Sequence, residues 1–264
     1  MVPVVDRVGS TTRTVPLMGG TAVITVVERP AGELDFMLAA AIGRRRTDRR
    51  IYGSWPVPWG DIALMGARAA RAGVMLRQVD AAPRLSTLIA DSAARHAADP
   101  AYVTELRAWS GRRGSVSGVP AGNIPEVVAE APIPGRVFAE PELPHPGDSP
   151  ATEDNGVLVA LGTEGDDDLA RLRAGEATSL VLLSATAMGL ATCPVTEPLE
   201  FGDIREAVRA DVFGATGYPQ MLVRVGWAPV HADPLPATPR RPLSEVAEWV
   251  APGPSATPRV HLAG

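Results

Sequence analysis

Runs of apolar residues, broken at intervals by proline, glycine and charge, outline this chain. The β-branched run at 21–27 predicts a strand, and Pro30-Ala31-Gly32 ends it. Residues 33–44 carry Leu34, Phe36, Met37, Leu38 and Ile42 among alanines and predict a helix, whereas 1–20 read as polar and irregular. The close prolines Pro56 and Pro58 predict a loop over 52–58. A helix over 59–72 then stops at Gly73, and 74–79 reads as a second strand. The spacing of Leu85, Leu88, Ile89 and Ser92 marks one face of a helix over 83–98, and a shorter helix follows at 102–109.

The pattern changes at 112–154. Pro120, Pro125, Pro132, Pro134, Pro141, Pro144, Pro146 and Pro150 exclude regular structure there. So long a loop within a domain reads as a lid or as a linker; apolar anchors at 124–128 and at Val137-Phe138 favour the lid. The run at 156–162 then predicts a buried strand. Asp166-Asp167-Asp168 opens the longest helix, which reaches about Gly189. Three carboxylates at a helix start fit amide capping better than a metal site. The second half of that helix is apolar nearly all round and belongs in a core. A helix at 199–209, a strand at 220–226 and a proline-rich tail complete the outline. Strands alternating with helices predict an α/β (α+β) fold, a mixed sheet covered by helices.

Composition narrows the chemistry. The 264 residues suit one large domain or two small ones, and a formal charge of −5 opposes a nucleic-acid surface. All basic residues are arginine, a coding bias rather than a functional signal. Cys193 is the lone cysteine, so neither an intrachain disulfide nor a cysteine metal cage is expected. His96, His145, His231 and His261 lack metal-ligand spacing. No signal peptide and no membrane span is read, and a reducing cytoplasm is the expected compartment.

The candidate chemistry lies in Arg44-Arg45-Arg46-Thr47-Asp48-Arg49-Arg50, where five arginines surround one hydroxyl. Guanidinium groups hold phosphate oxygens in paired hydrogen bonds, and the threonine adds a donor. A solvated arginine face is the competing reading. Arg240-Arg241, flanked by Pro239 and Pro242, is a second basic pair that could join the first at a phosphate dianion or stay exposed. Neither a Gly-x-Gly-x-x-Gly nor a Walker loop is present.

Arg45-Arg46-Thr47-Asp48-Arg49, with Pro56-Val57 after it, resembles the phosphate motif of the FMN-dependent nitroreductase family. Residues 182–193, with their Gly189-Leu190 turn, resemble its core helix, and 217–226 followed by Thr238-Pro239-Arg240-Arg241-Pro242-Leu243 resemble its final strand and tail. Gly118-Val119-Pro120 and Arg173-Ala174-Gly175-Glu176 point to the Acg subfamily of actinobacteria. The resemblance covers about 30–250. It implies a largely antiparallel sheet flanked by helices, in a single domain over 1–264. It makes 1–29 the remnant of a preceding half and 112–154 a lid.

The same resemblance implies FMN as cofactor, with Arg45, Arg46, Thr47, Arg49, Arg240 and Arg241 toward its phosphate and Gly189 and Leu190 near the flavin. NAD(P)H would be the electron donor, a nitro or quinone compound the substrate, and a homodimer is a possible state; no nucleic acid, membrane or metal partner is implied. No side chain is assigned as catalytic, and Cys193 reads as a core thiol. The family's Ala-Pro-Ser-x-x-Asn-x-Gln-Pro-Trp ring-binding motif has no counterpart; its place holds 69–76. Three functions therefore stay open: a flavin oxidoreductase, a flavin-storage protein with a closed lid, and a truncated relative that binds FMN weakly.

Overall fold

In the computed structural model, which describes residues 10–17, 20–27, 30–79, 83–128, 131–145, 154–214 and 216–246, the chain divides into two compact units. Residues 1–33 with 241–264 form one, and 34–240 form the other. In the first, β1 (Ser10–Leu17) and β2 (Gly20–Val27) pair antiparallel, from Ser10 opposite Val27 to Leu17 opposite Gly20. The sequence led us to expect irregular chain before residue 20. Thr11, Thr12, Thr14 and Val15 carry strand propensity, which the threonine hydroxyls disguised. Pro16 is accommodated because both strands of a two-stranded ribbon are edges.

The larger unit is built on a four-stranded sheet. Its strands are β3 (Met75–Val79), β6 (Val157–Thr163), β8 (Tyr218–Gly226) and β7 (Ala191–Pro194), in that spatial order, and every neighbouring pair is antiparallel. Val159, Leu161, Val223 and Val225 face α2 (Trp59–Arg71) and α5 (Asp168–Ala187), where Met65, Ala69, Ala177 and Val181 complete one core. The alternate residues Leu158, Ala160 and Leu222 meet Leu85 and Ile89 of α3 (Pro83–Ala97), with Val208 and Phe213, in a second core. Burial on both faces explains why β6 and β8 read as continuous apolar runs. Gly162 makes this packing possible, since a Cβ there would lie 2.4 Å from the Phe213 ring.

Local chemistry sets the element ends. Asp167 caps α5 by accepting from the Ala170 amide at 2.8 Å. Asp166 instead accepts from both terminal nitrogens of Arg205, at 2.7 and 2.8 Å, and from Gln220 at 2.9 Å. Gly189, in the left-handed region at φ +84°, ends the helix and turns the chain into β7. This four-residue, proline-ended strand carries no periodicity, and the sequence did not suggest it.

The single helix expected at 199–209 is two, α6 (Glu197–Glu200) and α7 (Gly202–Val208), followed by one π turn at Arg209–Phe213. The break is Phe201, which is extended and packs on His96 with ring centroids 4.6 Å apart. α4 spans Pro100–Trp109, with Asp99 capping the Ala101 amide at 2.8 Å. Of the proline-rich segment at 112–154, residues 129–130 and 146–153 lie outside the described residues; the described part is threaded rather than free. β4 (Ser110–Arg112) and β5 (Val119–Pro120) pair in parallel, and Ile124, Ala131 and Ile133 are buried. Asn123 donates to the Pro236 carbonyl at 3.0 Å and Ser86 to that of Pro132 at 2.6 Å. Of the apolar anchors expected from the sequence, Val137 is exposed here.

Candidate functional site

The arginine run leaves α1 (Glu33–Arg44) and lies along the free edge of β7. Thr47 bridges Thr192 in parallel, and the Asp48 amide donates to the Thr192 carbonyl at 2.9 Å. A chain held in this way points successive side chains to opposite sides. Asp48 and Arg50 point inward and are buried. They form a two-point ion pair, Nε to Oδ1 at 3.0 Å and Nη2 to Oδ2 at 2.8 Å. The Tyr52 hydroxyl donates to the Asp48 carbonyl at 2.9 Å, and the Arg224 guanidinium stacks 4.1 Å from the Tyr52 ring and donates to the Arg50 carbonyl. Asp154 closes the cluster by accepting from the Gly156 amide at 2.9 Å. Burial alone would lower the Arg224 guanidinium; Tyr52, Asp154, Cys193 and Asp48 outweigh it and hold the group above its ordinary value. Burial also pushes the Tyr52 phenol well up.

Arg45, Arg46, Thr47 and Arg49 line a cleft of about 900 Å³. Arg240 reaches the same cleft from the tail, Thr178, Ser179 and Leu182 of α5 form a wall, and no Asp or Glu lines it among the described residues. Arg45 donates to Thr47 Oγ1 at 3.4 Å, and Arg46 donates to the carbonyls of Gly43 and Arg45 at 2.9 and 2.8 Å. Arg46 Nε is buried with no hydrogen-bond partner. The Arg45 guanidinium is lowered below its ordinary value, first by burial and then by repulsion from Arg240 and Arg46. Convergent cations without a counter-charge have the donor chemistry to hold an anion.

The remaining expected residues fall elsewhere. Leu190 is 4 % exposed and belongs to the core, and Gly189 faces the Trp227 ring, 3.7 Å from where its Cβ would be. Neither lines the arginine cleft. Arg241 belongs to the smaller unit, and Arg240 ends the larger.

Beyond Thr47 and Arg49 lies a second cavity, of about 230 Å³, under the proline-rich segment. Arg49, Arg136, Arg224 and Cys193 reach it among apolar walls that include Ile133 and Phe138. The Arg49 guanidinium sits 4.6 Å from the Phe138 ring centroid, and burial lowers its pKa. Burial pushes the Cys193 thiol up, so it stays protonated at neutral pH. Arg136 holds the segment down through Thr196 at 3.1 Å and through Glu200. His96 joins Glu197 and Glu200, each at 3.2 Å, and the Tyr102 ring stacks on the imidazole at 3.9 Å. Burial raises Glu197 above the usual carboxylate range.

Sequence reasoning missed Arg136, Glu197 and Arg224 as site residues. A charge in the apolar run Met221-Leu222-Val223-Arg224-Val225 was a usable sign, because a mid-strand arginine buried on both faces needs partners. Arg136 and Glu197 carried no such mark. Among the described residues no group of three His, Cys, Asp or Glu side chains could hold a metal, and no helix is long and apolar enough to cross a membrane.

Comparison with known proteins gives a consistent result. The model described as the Nitroreductase family matches residues 42–227. The Mycobacterium tuberculosis (strain H37Rv) protein named "Putative NAD(P)H nitroreductase Rv3131" is 64 % identical over 217 residues, covering 82 % of this chain and 63 % of the relative. The protein of that strain named "Putative NAD(P)H nitroreductase acg" is 32 % identical over 219 residues, covering 79 % and 63 %. The chain thus spans 63 % of the length of these relatives. A solved nitroreductase with bound FMN from Bacteroides fragilis matches in fold, with TM-score 0.50 and 15 % identity over 84 % of this chain and all of that one.

Proposed function

The chain belongs to the nitroreductase family, and on that premise we propose that it binds FMN and supports NAD(P)H-dependent reduction. The observation that carries this reading is the carboxylate-free cleft shared by Arg45, Arg46, Thr47 and Arg240. The unpartnered Arg46 Nε and the mutual repulsion at Arg45 both suit a phosphate dianion. Arg45, Arg46 and Arg240 would hold the phosphate, and Thr47 would donate beside it. Arg49 would serve the passage to the second cavity, because it lines both spaces. Bound flavin supplies hydride chemistry; the protein supplies binding, orientation and electrostatics. The Asp48–Arg50 pair and Tyr52 keep the outward residues in register, and Ala131, Ile133 and Phe138 give the inner cavity an apolar wall.

The proposed electron acceptor is a small nitro or quinone compound. The Acg-like assignment, a homodimer and the lid role of 112–154 are part of the same proposal; a relative's name supports the first, and the Asn123–Pro236 contact supports the third. One observation favours the storage alternative: Arg136 and the Arg49–Phe138 contact hold the segment closed over the inner cavity. A titration of the purified chain with FMN and with riboflavin tests the binding. FMN should bind at least about tenfold more tightly, a difference of roughly 1.4 kcal/mol. Equal affinity for the two would contradict the phosphate assignment. Bleaching of the bound flavin by NAD(P)H distinguishes the reductase from the storage protein.

A further inference from the structure

The last turn of α4 and the segment that joins it to β5 carry arginines that flavin binding leaves unused. Arg107, Arg112 and Arg113 line an open cleft of about 890 Å³, with Ser110, Ser115 and Glu140. Its backbone is built around glycine. Gly111, at φ +78°, has no room for a Cβ, which would lie 2.5 Å from the Ala139 carbonyl oxygen. At Gly118, φ +88°, a Cβ would lie 2.4 Å from that of Trp109. Ser110 Oγ donates to the Leu106 carbonyl at 2.6 Å and accepts from the Ala139 amide at 3.3 Å. The arginines are therefore presented from a fixed support rather than a loose tail.

That support follows directly in the chain from the wall of the inner cavity. Phe138 covers Arg49, and the next two residues, Ala139 and Glu140, wall the arginine cleft. Arg113 pairs with Glu142, while no ion pair engages Arg107 or Arg112 among the described residues. Both are exposed. Two unengaged guanidinium groups on one cleft suit a phosphate monoester, while the Ser110 and Ser115 hydroxyls are bonded to the backbone and fix the cleft. A nicotinamide donor must bring its ring to the flavin while its adenosine end stays outside. A cleft one residue step beyond the inner cavity is where that end would rest.

We propose that Arg107 and Arg112 recognise the 2′-phosphate of NADPH and make the chain select NADPH over NADH. The inference rests on the flavin reading, but its test does not depend on flavin turnover. Binding of adenosine 2′,5′-bisphosphate, adenosine 3′,5′-bisphosphate and 5′-AMP to the full chain is measured by calorimetry, alongside FMN binding. The 2′,5′-bisphosphate should bind at least about tenfold more tightly than 5′-AMP, or about 1.4 kcal/mol. The double variant R107A/R112A should lose that advantage and keep its FMN affinity and melting temperature. Equal binding of 2′,5′-bisphosphate and 5′-AMP, or an advantage that survives in the double variant, overturns the proposal. So does equal binding of the 2′,5′ and 3′,5′ isomers, which marks a general anion surface. Loss of FMN binding in the unmodified chain, with the 2′,5′ preference intact, would instead count against the flavin reading.

Discussion

Arg45 and Arg50 stand five positions apart and do opposite work. Arg50 is buried against Asp48 and fixes the strand, whereas Arg45 faces the cleft and is pressed by Arg240 and Arg46. Their substitutions should separate accordingly. Arg45→Ala removes a charge-assisted contact of about 1.5–3 kcal/mol to bound phosphate, so FMN affinity should fall roughly 10- to 150-fold. The melting temperature of the flavin-free protein should stay unchanged or rise, because repulsion is relieved. A large loss of stability would show that Arg45 is structural. Asp48→Ala leaves Arg50 charged and buried without its partner and should cost about 3–5 kcal/mol in urea unfolding. The sequence showed the arginine cluster but not this division of labour. The inward or outward choice is set by the Thr47–Thr192 bridge, and Thr192 lies far along the chain in a strand that left no periodic trace.

At the scale of elements, the sheet depends on contacts that only one residue size allows. Gly162→Ala would drive a methyl into the Phe213 ring and should cost about 1–3 kcal/mol, measurable as an earlier urea midpoint with an unchanged slope. A substitution with no effect would mean that Phe213 can move aside. Hydrogen bonds from Arg205, with help from Gln220, hold the Asp166 carboxyl well below the usual carboxylate range. A depressed pKa adds stability above the unfolded-state value, near 4, and loses it as pH falls toward the folded-state value. The stability gap between the protein and Asp166→Asn should therefore be largest at neutral pH and close under acid. A gap that is constant with pH would contradict this account. Long elements with both faces buried, β6, β8 and α5, were legible because burial writes itself as apolar runs. The α6–α7 break was not, since Phe201 turns aside for His96, more than a hundred residues away.

The whole molecule leaves apolar residues on its surface. Phe36 and Ile42 of α1, Trp55 in the loop before α2 and Trp59 at its start are all exposed, and apolar surface left open favours association. Self-association is the expected outcome, visible as a concentration-dependent mass in sedimentation equilibrium; a strict monomer at all concentrations would refute it. The family was legible from four short motifs in order. The inner cavity was not, because Arg49, Arg136, Cys193 and Arg224 meet there only through the fold. The central claim is that the arginine run and the tail share one phosphate, and a crystal structure of the chain with FMN tests it most directly. The account predicts the FMN phosphorus within the cleft of Arg45, Arg46 and Arg240, with Thr47 beside it. Phosphorus bound at another site, or no bound FMN at saturating concentration, would contradict it.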